Sequence, residues 1–152
     1  MTLQEQILEV IGLLHGSALS GASLADIAAA EQRLGVRFPD DIRALVSAFN
    51  GSELATPVEH GWVTFWPLRA WQPIAEEPGA AAPSTMSDAI LFADHSIVSW
   101  WYAIAVSPTS DECPVYLVDG VQAERLVALS LGGFLQAIID DSDALYRGTP
   151  TG

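Results

Sequence analysis

The sequence predicts an α+β fold, with helices and strands in separate stretches of the chain. Three observations predict it. Apolar residues recur at helical spacing through the first third of the chain. Aromatic and β-branched residues then dominate short runs between Trp62 and Leu129. A helical stripe returns after Ser130. The chain has 152 residues, 50% of them hydrophobic and 16% charged. That suits a single domain over residues 1–152, with a core large enough to fold without disulfides or metal.

Leu3, Ile7, Ile11 and Leu14 space the first helix, and Gly16 is a plausible stop. Residues 16–22 are small and polar and read as a loop. Ser23 opens the second helix. Its hydroxyl can accept from the free first-turn amides, and Asp26, three residues on, can answer as a short capping-box partner. Leu24, Ile27, Ala28 and Leu34 share one face, and Gly35 can close the helix in the left-handed conformation. Pro39 suits the first turn of a third helix, where its missing N–H costs nothing. Asp40 and Asp41 sit at the end of the dipole that favours anions. Ile42, Leu45, Val46 and Phe49 make its buried stripe, and Asn50-Gly51 ends it.

The period then changes. Residues 62–66 favour a strand, and Pro67 limits it to an edge or an end. Residues 68–72 suggest a short helical turn. Residues 76–87, rich in Ala, Pro, Gly and Ser, read as a linker or flexible insertion. Four strand candidates follow at 89–93, 97–106, 114–118 and 126–129. Turns separate them at Asp94-His95, 107–113 and Asp119-Gly120. In the second candidate Trp100, Tyr102, Ile104 and Val106 face one way, and Trp101, Ala103 and Ala105 the other. Both faces are apolar, so this strand is expected at the centre of a sheet, covered on both sides. Leu131, Phe134, Leu135, Ile138 and Ile139 stripe the last helix. Asp140, Asp141 and Asp143 lie at its end, where the dipole disfavours them.

Nineteen acids face six bases, for a net charge of -13. All the bases are arginines: Arg33, Arg37, Arg43, Arg69, Arg125 and Arg147. This argues against nucleic-acid binding, which needs cations to displace phosphate counterions, and against docking on an anionic membrane. It leaves a basic protein partner, since opposite net charge speeds encounter. Cys113 is alone, so no disulfide framework or thiolate zinc cluster forms within the chain. The N-terminus lacks a charged n-region and the longest apolar run, 100–106, is far too short to span a membrane. The expected location is the cytoplasm.

No cofactor or metal is expected. His15, His60 and His95 are far apart in sequence, and Gly132-Gly133 belongs to no phosphate loop. Asp94-His95-Ser96 contains triad residue types, but triads assemble from separate segments. Asp111 and Glu112 beside Cys113 disfavour its thiolate. No catalytic residue is assigned.

Ile27 and Glu31 lead into Leu34-Gly35-Val36-Arg37-Phe38-Pro39-Asp40-Asp41, then through Leu45 and Phe49 to Asn50-Gly51. This order resembles the SUKH superfamily, which includes the Smi/Knr-type fungal cell-wall regulators. That family pairs an Ile-x-x-x-Glu helix with a Leu-Gly, Leu-Pro and Asn-Gly frame. Leu91-Phe92-Ala93-Asp94, Val115-Tyr116-Leu117-Val118 and the helix from Ser130 resemble its second half, so the likeness spans about residues 20–140. Phe38-Pro39 stands for the Leu-Pro, and residues 95–101 replace a stretch usually rich in glycine. The resemblance implies N-terminal helices and a C-terminal helix packed on a mainly antiparallel sheet of about four to six strands. It also implies a non-catalytic immunity protein, which in bacteria neutralises a toxin, often a nuclease. The alternatives are a scaffold or regulatory adaptor like the fungal relatives, or an enzyme of unknown type.

Candidate partner-binding residues follow from exposure and charge. Trp62, Trp66 and Trp71 lie in irregular chain near Pro67 and Pro73, where an exposed ring could anchor an interface, whereas Trp100 or Trp101 suits the core. Acids cluster at Glu53 and Glu59, Glu76 and Glu77, Asp111 and Glu112, and Asp140, Asp141 and Asp143. A surface built from them would meet the arginines and lysines of a toxin domain. The sequence leaves a homodimer open.

Overall fold

The computed structural model describes residues 1–81, 83–107 and 109–148. The first helix, α1, spans Leu3–Gly12, with Thr2 and Glu5 capping each other at its start. The second, α2, spans Leu24–Leu34. Ser23 and Asp26 form the expected reciprocal cap, and Gly35 closes the helix at φ 69°. The third, α3, spans Asp40–Ala48, with Pro39 as the residue that opens it.

Six strands follow among the described residues: β1 (Val63–Phe65), β2 (Gln72–Pro73), β3 (Ile90–His95), β4 (Trp100–Ile104), β5 (Val115–Val118) and β6 (Arg125–Ala128). They form one sheet in the order β1-β3-β4-β5-β6, with β2 also paired to β3 and every pairing antiparallel. A four-residue helix, α4 (Pro78–Ala81), lies between β2 and β3. Two more close the described chain, α5 (Leu131–Ile139) and α6 (Ala144–Arg147). This is the α+β architecture expected, with N-terminal and C-terminal helices on an antiparallel sheet.

The helices bury their stripes against one face of the sheet. Ile7, Ile27, Ile42, Leu45, Phe65, Phe92, Tyr102, Ile104, Leu117 and Phe134 share one core cluster. Phe134 of α5 touches the rings of Phe65, Phe92 and Tyr102 at 5.1–6.2 Å between centroids. The opposite face carries a smaller cluster: Ile74, Ala80, Ala89, Leu91, Ala103 and Val118. Strand β4 therefore sits between β3 and β5 with both faces covered, as its two apolar faces predict.

Two expectations are corrected. The described residues of 76–87, which leave out 82, do not read as a free linker: α4 lies on the second face of the sheet with Ala80 fully buried. The Glu124 carboxylate accepts from the Ser84 hydroxyl and the Thr85 amide and hydroxyl. Small residues permit this approach. A Cβ on Gly120 would stand 2.2 Å from the Gly79 carbonyl, and one on Gly79 would stand 3.1 Å from the Trp101 ring. Asp94 and His95, expected in a turn, are the last residues of β3, because β1 pairs Val63 with His95 and extends the strand. The turn moves to 96–99, and β4 starts at Trp100 rather than at 97.

The helical frame has a specific clasp. Glu31 accepts two bonds from Arg43 at 2.9 Å and one from the Phe38 amide at 2.7 Å. Arg43 also donates to the Phe38 carbonyl at 3.0 Å. One glutamate thus fixes the angle between α2 and α3 and places Phe38 in the core.

Candidate interaction surface

The turn between β3 and β4 breaks local backbone preference. Ser96, Ile97 and Val98 have φ of 37°, 53° and 57°. Left-handed backbone costs a non-glycine residue about 1–2 kcal/mol, and β-branched side chains adopt it least readily. Side-chain and backbone bonds hold the turn: the Val98 amide donates to Asp94 Oδ1 at 3.1 Å, and the Ser99 amide to the His95 carbonyl at 2.8 Å. Ser99 Oγ donates to the Ser96 carbonyl at 2.8 Å. The outcome is that Ile97 is 95% exposed and Val98 49%.

Trp62 stands beside this turn. The Ser96 amide donates to the Trp62 carbonyl at 3.0 Å, continuing the β1–β3 ladder by one step. Trp62 is itself left-handed, at φ 51°, and the residue is 55% exposed. Three large apolar residues are therefore exposed at the same end of the sheet.

Carboxylates flank them. Asp141 Oδ1 accepts from the Gly61 amide at 3.1 Å and from the Tyr146 hydroxyl at 2.8 Å. His60 Nδ1 bonds the Ile139 carbonyl at 3.1 Å, so the 59–62 turn is tied to the end of α5 at two points. The same turn carries Glu59, which meets His15 Nε2 at 2.5 Å. Burial, then the bond to Asp141 and the charges of Asp141 and Asp143, push the Tyr146 phenol up to about 12.

Beneath the patch lies a layer of rings. His95 stacks on Trp100 at 4.0 Å and meets the Tyr146 ring edge-on at 5.3 Å. Burial holds the His95 imidazole below its ordinary value of 6.5, against the raising effects of a backbone hydrogen bond at Gly61 and of Asp94. Its Nδ1 has no partner among the described residues. Trp100 Nε1 donates to the Tyr102 hydroxyl at 3.2 Å, and that hydroxyl donates to the Leu145 carbonyl at 2.6 Å. Burial pushes the Tyr102 phenol far up.

The expected binding residues fall in several places. Trp62 is in the exposed patch, and Glu59, Asp140, Asp141 and Asp143 belong to its surroundings. Trp66 is half-buried, with Nε1 donating to Asp94 Oδ2 at 2.6 Å. Trp71 is a correction: it is 2% exposed, packs on Phe38 and Phe92, and donates to the Trp66 carbonyl, so it cannot anchor a partner. Glu53 lies at the rim of a groove beside Trp66. Glu77 holds Gln72 and the Gly79 amide next to α4, with Glu76 exposed beside it. Asp111 lines a different hollow with Arg37 and Arg43, and Glu112 follows it. The acids thus form separate clusters; Glu53 adjoins the exposed Leu54, and Glu59 with Asp140, Asp141 and Asp143 adjoins the exposed Trp62.

Ile97 and Val98 were missed because their side chains favour a strand. The available signal was the polar bracket Asp94, His95, Ser96 and Ser99, residue types that bond nearby backbone and favour turns. Asp94-His95-Ser96 is not arranged as a triad: the Asp94 oxygens are taken by Trp66 and the Val98 amide. Cys113 is buried, and its thiol is pushed up to about 11 by burial, then by Asp41 and Asp111. Among the described residues no group of three acidic, histidine or cysteine side chains could hold a metal ion. Nor is any described helix long and apolar enough to cross a membrane.

A family model described as SMI1 / KNR4 family (SUKH-1) matches residues 21–137, more than half of the chain. A comparison with curated proteins finds no match.

Proposed function

The chain belongs to the SMI1/KNR4 family (SUKH-1), and we propose that it is a non-catalytic immunity protein that acts in the cytoplasm. The family includes toxin-immunity proteins and fungal cell-wall proteins. On this reading the chain binds a cognate basic toxin domain, a nuclease being the class that best suits its charge, and covers the toxin's active surface. The observation that carries the reading is the end of the sheet. Trp62, Ile97 and Val98 project into solvent from left-handed backbone, with the Asp141 carboxylate fixed one residue from Trp62.

The physical argument has two parts. Strained backbone persists only where surrounding structure enforces it, and it concentrates at functional sites. An exposed tryptophan with aliphatic neighbours supplies an anchor that fills a pocket, while nearby carboxylates steer a cationic partner and exclude acidic ones. The turn also falls in the stretch where this sequence departs from the glycine-rich pattern its relatives resemble. That is where a protein selective for one partner would differ.

The test is growth rescue. The toxin-like protein encoded beside this gene is expressed in a sensitive host, with the chain or its Trp62→Asp variant. The reading predicts rescue by the chain and loss of rescue by the folded variant. Absence of rescue by the unaltered chain, with no complex recovered, overturns it.

A further inference from the structure

The ring layer beneath the exposed patch holds a buried titratable group. His95 is 7% exposed. Its ring lies flat on Trp100, at 4.0 Å and 3°, and meets the Tyr146 ring edge-on at 5.3 Å. A backbone hydrogen bond at Gly61 favours the charged ring, so the ring is its donor and the Gly61 carbonyl its acceptor. The Gly61 N–H goes to Asp141 instead. His95 Nδ1 is buried and has no partner among the described residues. The neutral ring therefore carries its proton on Nε2, and Nδ1 keeps a bare lone pair.

A second proton, on Nδ1, would have no acceptor. It would put a charge and an unmet donor into a layer of rings, and burial of either is costly. The neighbours do not remove that cost. On the same strand Asp94 favours the cation, but burial outweighs it. Strand β4 faces the ring with Trp100, whose Nε1 is spent on the Tyr102 hydroxyl. Helix α6 brings Tyr146 and also carries Arg147, and the Tyr146 hydroxyl is bonded to Asp141, with Asp143 at the start of the helix. The 59–62 turn carries His60, bonded to the Ile139 carbonyl, and Glu59, bonded to His15.

The position of His95 gives this cost a direction. Its ring bonds Gly61, next to Trp62, and its carbonyl accepts from the Ser99 amide at 2.8 Å. The Ser96 amide ties the two turns together through the Trp62 carbonyl at 3.0 Å. Trp62, Ser96, Ile97 and Val98 are all left-handed. Turns under such strain, held by a few bonds, are where a fold opens first. We propose that His95 is a latch on this end of the sheet. Neutral, it holds the 59–62 and 96–99 turns that carry Trp62, Ile97 and Val98; protonated, it lets both open. Control of partner binding by acid rests on the interaction surface proposed above, whereas the latch itself is read in the free chain.

The test is amide hydrogen exchange, followed by NMR on the 15N-labelled full chain from about pH 7.5 to about pH 5, the range in which histidine titrates. The Ser96 and Ser99 amides report, because both donate to carbonyls, which do not titrate. Corrected for the intrinsic pH dependence of exchange, their opening should rise by up to about tenfold per pH unit below 6.5, the signature of one proton, until the native midpoint of His95 is passed. Low urea should not accelerate it, which marks a local opening rather than unfolding. His95→Gln keeps a donor for Gly61 and His95→Phe keeps a ring on Trp100; both should abolish the rise. His15→Gln and His60→Gln should leave it in place. The latch is refuted if Ser96 and Ser99 keep their protection down to about pH 5, if the rise survives both His95 variants, or if it disappears with His60→Gln. A latch seen in the free chain beside failed growth rescue would remove only the immunity reading, and rescue without a latch would remove only this one.

Discussion

Replacing Ile97 by glycine should stabilise this protein, the reverse of what removing a large aliphatic side chain usually does. Ile97 is 95% exposed, so its removal forfeits almost no buried area. Its φ of 53° is a conformation that costs an L residue about 1–2 kcal/mol and glycine nothing. Glycine also gives the unfolded chain more freedom, which offsets about 0.5–1 kcal/mol of that gain. The net expectation is a stabilisation of about 0.5–1 kcal/mol. Ile97→Asn serves as a second variant, because asparagine tolerates left-handed backbone without the entropy cost of glycine. Val121→Gly is the control. Val121 is 79% exposed and not left-handed, so glycine there should lose a few tenths of a kcal/mol. Urea unfolding of the four proteins, fitted with a common slope, reads these differences directly. If Ile97→Gly and Ile97→Asn both destabilise by more than about 0.5 kcal/mol, the turn is not strained and the reasoning fails.

Three further outcomes are expected. Glu31→Ala leaves Arg43 and the Phe38 amide without their shared acceptor, and the pair is partly exposed, at 16% and 36% of the two side chains. A loss of about 1–2 kcal/mol in urea unfolding is expected, with no effect pointing to a solvated pair. His95 is held below 6.5 by burial, so the unfolded chain takes up a proton near 6.5 that the native chain refuses. Its contribution is complete above 6.5 and is lost as pH falls from there through the lowered native value; His95→Gln should flatten that part of the urea-midpoint profile. The Cys113 thiol, pushed up to about 11, should react with a disulfide reagent at about pH 8 far more slowly in the native chain than in urea. Equal rates would contradict its burial.

What the sequence discloses is what local chemistry decides. Ser23 and Asp26 cap α2 through a three-residue spacing, and Gly35 closes it, so both ends of that helix were readable. The two apolar faces of β4 announced a covered central strand because side chains alternate along a strand. Residues 76–87 were opaque for the opposite reason. Their alanines and glycines carry little local signal, and the placement of Ala80, Ser84 and Thr85 comes from a distant sheet face and from Glu124. Trp71 was misplaced because irregular backbone says nothing about where a ring points; this one fills the space between Phe38 and Phe92. Ile97 and Val98 mislead because their preference for extended backbone is overridden by the bonds from Asp94, His95 and Ser96. Disagreement between local preference and fold is expected where function imposes it.

The most direct measurement is calorimetric titration of the chain with the toxin-like protein encoded beside its gene, the partner proposed above, at rising salt, for the unaltered protein and for Trp62→Ala. The account predicts affinity that declines with ionic strength and falls about 30-fold or more in the variant, as for a buried aromatic anchor. Tight binding that ignores both salt and the loss of the Trp62 ring would place the contact elsewhere and contradict it.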